Sequence, residues 1–257
     1  MQSLHPIFRI SSLVADAIDI WSFKPNTAKL LFALIYLQDR APESWPLHED
    51  GYVEMTEHFV SVQQLRELCF TSKTRSSRFL RTPVDDLKGA FEFFEKLEIS
   101  ENGRYLTWKF HKSFFRKMRD PEKYGLIDCK EISTCKRRFD GALLAKISVH
   151  RKMNRPEFRL EVPFELFEGY VSPGILTYPL GKVKRKLQPS LQSWADFFNM
   201  SFAVIFSQEG SAPGYTHITV RIQHSNTKWP QMRFTQNSPS STIWLVTPAT
   251  SGDMKIK

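Results

Sequence analysis

Apolar residues recur at helical spacing most clearly between Tyr178 and Phe198, where Val183, Leu187, Leu191, Trp194 and Phe198 form one stripe. A stripe of that kind has to face a core, so the spacing predicts an amphipathic helix. Two alternating stretches follow, Ser201 to Ser207 and Thr216 to Ile222, separated by Gly210, Pro213 and Gly214, and they predict a hairpin. Before the helix lie a strand over Phe158 to Val162, an apolar segment from Phe164 to Val171, and a turn at Ser172, Pro173 and Gly174. The first half of the chain carries a looser version of the same series. Residues 1 to 25 read as an entrance segment of alternating character ending at Pro25, after which Asn26 or Thr27 caps a helix with Leu30, Leu34, Tyr36 and Leu37 on its stripe, running to Arg40. A proline-containing loop over 41 to 51 leads to Ser61 as the cap of a helix from Val62 to Phe70, with Leu65 and Leu68 inward. Thr82 and Pro83 predict the cap and first residue of a fresh helix, with Asp85 and Asp86 in its positive first turn and Leu87, Phe91 and Phe94 turned to the core. Leu97 to Ile99 and Tyr105 to Phe110 then flank a turn from Glu101 to Arg104 with Asn102 and Gly103 at its tip.

The order of helix, basic segment, helix and hairpin thus occurs twice. It is the order of a winged helix-turn-helix, a module that lays its second helix in the major groove of DNA. The fold class expected is α+β, with two tandem winged-helix domains, the first over residues 1–122 and the second over 123–224. Between the copies a linker from Tyr124 leads into a long helix over Arg138 to Arg151 that buries Phe139, Leu143 and Ile147. In the remainder, 225–257, Trp229, Met232, Phe234 and Ile243 to Val246 punctuate a Ser-, Thr- and Pro-rich stretch. It is expected to be a disordered arm with docking aromatics, the alternative being an extra strand on the second domain.

Charge points the same way. Among 257 residues, 36 Lys and Arg stand against 27 Asp and Glu, a net charge of +9, and the pI of 9.5 favours a polyanionic partner. Two runs concentrate it: Lys182, Lys184, Arg185 and Lys186 at the start of the helix from Tyr178, and Lys73, Arg75, Arg78 and Arg81 with no acid among them and several hydroxyls between. These eight are the candidate DNA-binding residues; Lys182, Arg185 and Lys186 are the strongest and are expected to be exposed. His217 and Arg221 on the hairpin are candidates for backbone contact. The longest apolar run, Leu30 to Leu37, is far too short to span a bilayer, and the N-terminus lacks signal-peptide order, so a cytoplasmic protein with no membrane partner is expected. Cys69, Cys129 and Cys135 match neither a disulfide framework nor a zinc site.

No enzyme class finds its residues. None of the seven histidines stands two positions from another, which excludes the His-hydrophobe-His pair of a rolling-circle initiator, and there is no glycine-rich phosphate loop. Asp128, Cys129 and Lys130 are a weak nuclease-like triplet without a partner acid, and Glu54, Glu57, His58 and His111 are scattered without ligand spacing. No catalytic residue, cofactor or metal is expected.

Several segments resemble the plasmid replication initiators that bind iterons. Lys123 to Val149, the Phe158 strand, the basic helix from Tyr178 and the closing segment from Gly214 to Ile222 are similar to the C-terminal winged helix of that family. Cys135-Lys136-Arg137-Arg138-Phe139 approximates the basic-aromatic opening of the family's second domain, Lys182 to Trp194 the recognition helix, and Pro213 to Ile222 the last strand. The likeness spans Leu30 to Ile222 and is closer in the second half. Gly141 to Leu144 and Ser193 to Ala195 depart from the family's pattern. The resemblance implies binding of repeated double-stranded DNA sites at a plasmid origin through both winged helices, recruitment of the host initiator ATPase and replicative helicase, and homodimers through the first winged helix. A transcriptional repressor, or a nucleic-acid-binding subunit of a larger complex on the same fold, stays open beside it.

Overall fold

A computed structural model describes residues 7–41, 56–69, 78–119, 122–161, 170–172, 175–208, 215–224 and 241–249. The chain divides into two compact units between Val149 and His150, later than the expected boundary between 122 and 123. The reason is a strand pair that joins the two ends of the first unit. β1 (Ile7–Ser11) runs antiparallel to β5 (Tyr124–Asp128), Ile7 opposite Asp128, so the segment expected as a linker is a strand of the first unit. From Ile7 on, the entrance segment supplies this strand and a helix: Ser11 accepts a hydrogen bond from the Val14 N–H and starts α1 (Ser12–Trp21).

The first unit is built around α2 (Pro25–Arg40). Proline at its first position lacks only an N–H that would be unpaired there anyway, and no side chain caps it, so neither Asn26 nor Thr27 is the cap. Its residues from Thr27 to Tyr36 are all buried, which is the signature of a helix covered on every side. β2 (His58–Ser61) leads into α3 (Val62–Leu68) through a capping box between Ser61 and Gln64. α4 (Arg78–Gly89) packs on α2, and then β3 (Phe94–Ile99) and β4 (Tyr105–Phe110) form the hairpin, with Gly103 at φ 66° in its turn. The sheet order is β2-β4-β3, and Leu106, Trp108 and Phe110 of the middle strand face the core. Two expectations fail here. α4 runs straight through Pro83, so Thr82 and Pro83 do not begin a new helix. Because α4 ends at Gly89, the helical phase is lost beyond it; Phe91 is 78% exposed while Phe93 is fully buried.

α5 (Lys112–Met118) and α6 (Cys129–Thr134) complete this unit with α7 (Asp140–His150), whose last residue begins the second unit. Two close approaches fix α7. A Cβ at Gly125 would lie 2.2 Å from the Ser148 backbone, and one at Gly141 would lie 2.6 Å from the Ala28 Cβ, so only glycine lets β5 and α2 come this near. Lys146 of α7 is buried against Asp16 and lies 3.7 Å from the fully buried Asp19.

The second unit repeats the strand order. β6 (Glu157–Arg159) is shorter than expected; residues 162–169, where the apolar segment before the turn falls, lie outside the described residues, and β7 (Tyr170–Ser172) pairs with β8 (Ile175–Thr177). α8 (Leu180–Phe198) follows, then β9 (Met200–Ser207) and β10 (His217–His224). Asn199, in the left-handed conformation at φ 50°, donates its N–H to the Ala195 carbonyl and ends α8 directly before β9. β11 (Thr242–Val246) adds to the free edge of β9 with Val246 buried, so this part of the tail is a strand and not an arm. Trp229, Met232 and Phe234 lie outside the described residues. The sheet order is β11-β9-β10-β6, all antiparallel. In each unit, therefore, the strand that follows the hairpin turn lies between the first strand and its own hairpin partner.

Candidate nucleic-acid interface

The rotation of α8 about its axis is set by what it buries. Val183, Leu187, Leu191 and Trp194 are fully enclosed with Ser190 and Ala195, which leaves Gly181, Lys184, Arg185, Gln188, Pro189 and Gln192 along a shallow outer groove of about 610 Å³. Arg185 is exposed and Lys184 half-buried; neither has an ion-pair partner among the described residues. Lys182 and Lys186, one turn apart, are half-buried and not fully exposed as expected, because their stems lie beside the enclosed stripe.

This end of α8 is electrostatically uncomfortable by itself. The four cations sit in the first two turns, where the helix dipole is positive, and no acid appears before Asp196. Lys182 stands three and four positions from Arg185 and Lys186, so like charges are neighbours on the surface. Each such placement costs a few tenths of a kcal/mol to about 1 kcal/mol. The burial of Trp194, Leu187 and Leu191 outweighs that many times over. A polyanion adds an attraction to all four charges that outweighs these repulsions.

α4 carries its charge differently. Lys73 and Arg75 lie outside the described residues, and Arg78 is the first residue of the helix. Arg81 is exposed at the flank of the face formed by the buried Leu80, Val84 and Leu87. The helix also holds acids: Asp86 accepts a hydrogen bond from the Thr27 hydroxyl at 2.8 Å and lies 3.9 Å from the Lys24 ammonium, tying α4 to the start of α2.

Of the two hairpin candidates, Arg221 is engaged elsewhere. Its guanidinium meets Glu157 Oε2 at 2.8 and 3.0 Å across the β10–β6 pair, so it is a register contact within the sheet. His217 is half-buried with Nδ1 2.6 Å from the Thr216 hydroxyl. The loop between β9 and β10, residues 209–214, lies outside the described residues.

Two residues of the outer face were not anticipated, Gln188 and Gln192. The signal was available, since both continue the spacing of Gly181 and Arg185 along the polar side. Gln192 donates to the Thr247 carbonyl at 2.8 Å and to Asp196 at 3.0 Å, and Asp196 accepts the Ala249 N–H at 2.7 Å. The residues after β11 thus fasten the C-terminal half of α8, leaving Gln188 as the exposed amide beside Arg185.

The other candidates have structural work. Asp128 caps α6, with Glu131 closing the capping box. Glu57 pairs with Lys96 at 3.0 Å, His58 stacks on Trp108, and His111 caps α5; Glu54 lies outside the described residues. Among the described residues no group of three or more His, Cys, Asp or Glu is placed to hold a metal ion. All three cysteines are buried and free, and burial pushes the thiols up, to about 12 for Cys69 and about 11 for Cys129. No helix among the described residues is long and apolar enough to cross a membrane.

No protein-family model matches the sequence, and no curated protein matches it either. Among solved structures, the chain is similar to the Pi initiator protein crystallised in complex with iteron DNA, with a TM-score of 0.55 and 14% identity. The match covers 87% of this chain and 99% of that one, and at this identity it shows a shared fold spanning both units.

Proposed function

We propose that this chain is a sequence-specific double-stranded DNA-binding protein that initiates plasmid replication, binding repeated origin sites through two winged helices centred on α4 and α8. The observation that carries the proposal is the outer face of α8, where Lys184 and Arg185 stand without ion-pair partners among the described residues, flanked by Lys182 and Lys186, on a helix whose opposite side is locked into the core. A helix so held presents its side chains to a groove at low entropic cost, and lysines and arginines at its entrance neutralise phosphates. The strand order common to both units supports the winged-helix assignment, and the fold shared with an initiator solved on iteron DNA supports the biological role. Arg185 is the candidate for bidentate contact with guanine and Gln188 for adenine. Two such helices in one chain make the second binding event effectively intramolecular, which suits a site of two successive major grooves. On this proposal the chain works in the cytoplasm without catalytic chemistry of its own, recruits the host initiator ATPase and replicative helicase to the opened origin, and forms homodimers through its first unit.

Selection of bound duplexes from a random library, followed by footprinting and a salt titration, tests this. Enrichment of one site of about two helical turns, protected in two adjacent major grooves, is the expected result. Binding without enrichment that simply decays with salt would sink the sequence-specific reader and leave a non-specific nucleic-acid surface.

A further inference from the structure

The start of α2 holds a second concentration of positive charge, in the first unit and separate from α8. Pro25 occupies the first position, no side chain caps the helix, and its first turn contains no acid. The backbone N–H groups of Asn26 and Thr27 are among those a helix leaves without internal partners. In front of them lies a partly open pocket of about 580 Å³, lined among others by Lys24, Thr27, Lys29, Thr82 and Lys136.

The informative residue is Lys29. Only 9% of it is exposed, yet no carboxylate or other hydrogen-bonding group among the described residues partners its ammonium. Its stem is enclosed while its ammonium lines the open pocket with no counter-charge bonded to it, so the cation is placed to meet an anion that enters there. The acids nearby are committed. Asp86 at the rim is bonded to Thr27 and faces Lys24, Asp140 accepts the backbone N–H groups of Lys136 and Arg137, and Glu131 closes the cap of α6. Cys69 and Cys135 are buried thiols whose ionisation is strongly disfavoured, and they bring no negative charge.

We propose that this pocket binds a phosphate group, with the Lys29 ammonium and the free N–H groups of α2 as its inner donors and Lys24 and Lys136 as cations at the rim. Three lysines and a helix N-terminus match a compact oxyanion of more than one charge better than a single carboxylate, and the exposed Thr82 adds a hydroxyl. Phosphate of this kind comes from two sources, a free phosphate or phosphomonoester, or the backbone of DNA. The site is built from the first unit alone and does not rest on the role given to α8.

Titration of the isotope-labelled full chain with inorganic phosphate, at constant ionic strength against chloride, tests the site through the backbone amides of Asn26 and Thr27. Saturable shifts at both are expected. Lys29→Met should weaken them about tenfold or more, as loss of a charge-assisted hydrogen bond does. Lys136→Gln, at an exposed position that leaves the core intact, should weaken them less. The same two variants are then carried through a salt titration of binding to a short duplex. A slope of log K against log salt that falls by about 0.9 per variant marks the DNA backbone as the source. Saturation by free phosphate with an unchanged duplex slope marks a free phosphate ligand. Absence of saturable shifts combined with an unchanged slope overturns the proposal, as do shifts that persist undiminished in both variants.

Discussion

α4 and α8 occupy corresponding places in the strand order of the two units, and each has a basic run at or before its start, yet the fold treats their charges in opposite ways. α4 carries Asp85 and Asp86 on its own turns, and Asp86 is spent on Thr27 and Lys24, so part of its charge holds the helix to α2. α8 has no acid until Asp196, and that one serves Gln192 and the chain after β11 at the far end. The outer face of α8 therefore carries cations alone, while α4 sets Arg81 on a helix with two acids of its own, Asp85 and Asp86. A run of basic letters does not distinguish these cases. What distinguishes them is whether the helix carries acids in the same turns as its cations, and what those acids hold.

The largest effect should come from the support of α8 and not from its charges. Trp194→Ala removes a fully buried ring that stacks on Phe198, and should destabilise the second unit by about 3–5 kcal/mol. Denaturant unfolding followed by fluorescence should then show an early transition for this unit with the first unit still folded. A single unshifted transition would mean that the stripe is not what holds the helix.

Replacing Lys182, Arg185 and Lys186 together by alanine should leave folding intact and weaken specific duplex binding by about 100-fold, or about 2.7 kcal/mol, with the salt slope smaller by up to about 2.7. Undiminished affinity would remove α8 from the interface and turn attention to α4.

How much of this was legible in the sequence depends on whether the deciding contact is local. The α8 stripe, the cap at Ser61 and the Asn102-Gly103 turn are set by residues a few positions apart, and each lies where its pattern placed it. β5 and β11 escape the pattern because their partners are remote: Asp128 pairs with Ile7, and Thr242 with Phe206, and alternation over five residues is too short to announce a strand alone. The helical phase that points Phe91 at the core does not extend past Gly89, where the helix stops. The ion pair of Arg221 is hidden for a similar reason, since Glu157 is adjacent only through the sheet. Lys29 gave no local sign at all, being one charged residue in a helix covered on every side.

Both helices contain an internal proline, and these separate the units further. Pro189 is exposed, and its missing N–H leaves the Arg185 carbonyl without its usual helical partner. Pro189→Ala should restore that bond and stabilise the second unit by about 1–2 kcal/mol, the roughly 3 kcal/mol interior cost of proline being partly offset by a freer unfolded chain. Pro83 is buried beside α2, so Pro83→Ala gains a hydrogen bond but loses packing and should change stability far less. Equal gains at both positions would show that burial at Pro83 contributes nothing.

The smallest effect expected is at Arg81. If α4 meets DNA chiefly through phosphates, Arg81→Ala removes one contact, lowering affinity by less than about tenfold and the salt slope by about 0.9, equally for specific and unrelated duplexes. A loss confined to the selected site would instead make α4 a base reader equal to α8. The distinction is sharp because a phosphate contact carries no sequence information, whereas a lost base contact lowers affinity only where the right base is present. An Arg81→Ala protein that keeps full affinity at all salt concentrations would confine the interface to the second unit, and the acids of α4 would then mark it as a helix charged for packing.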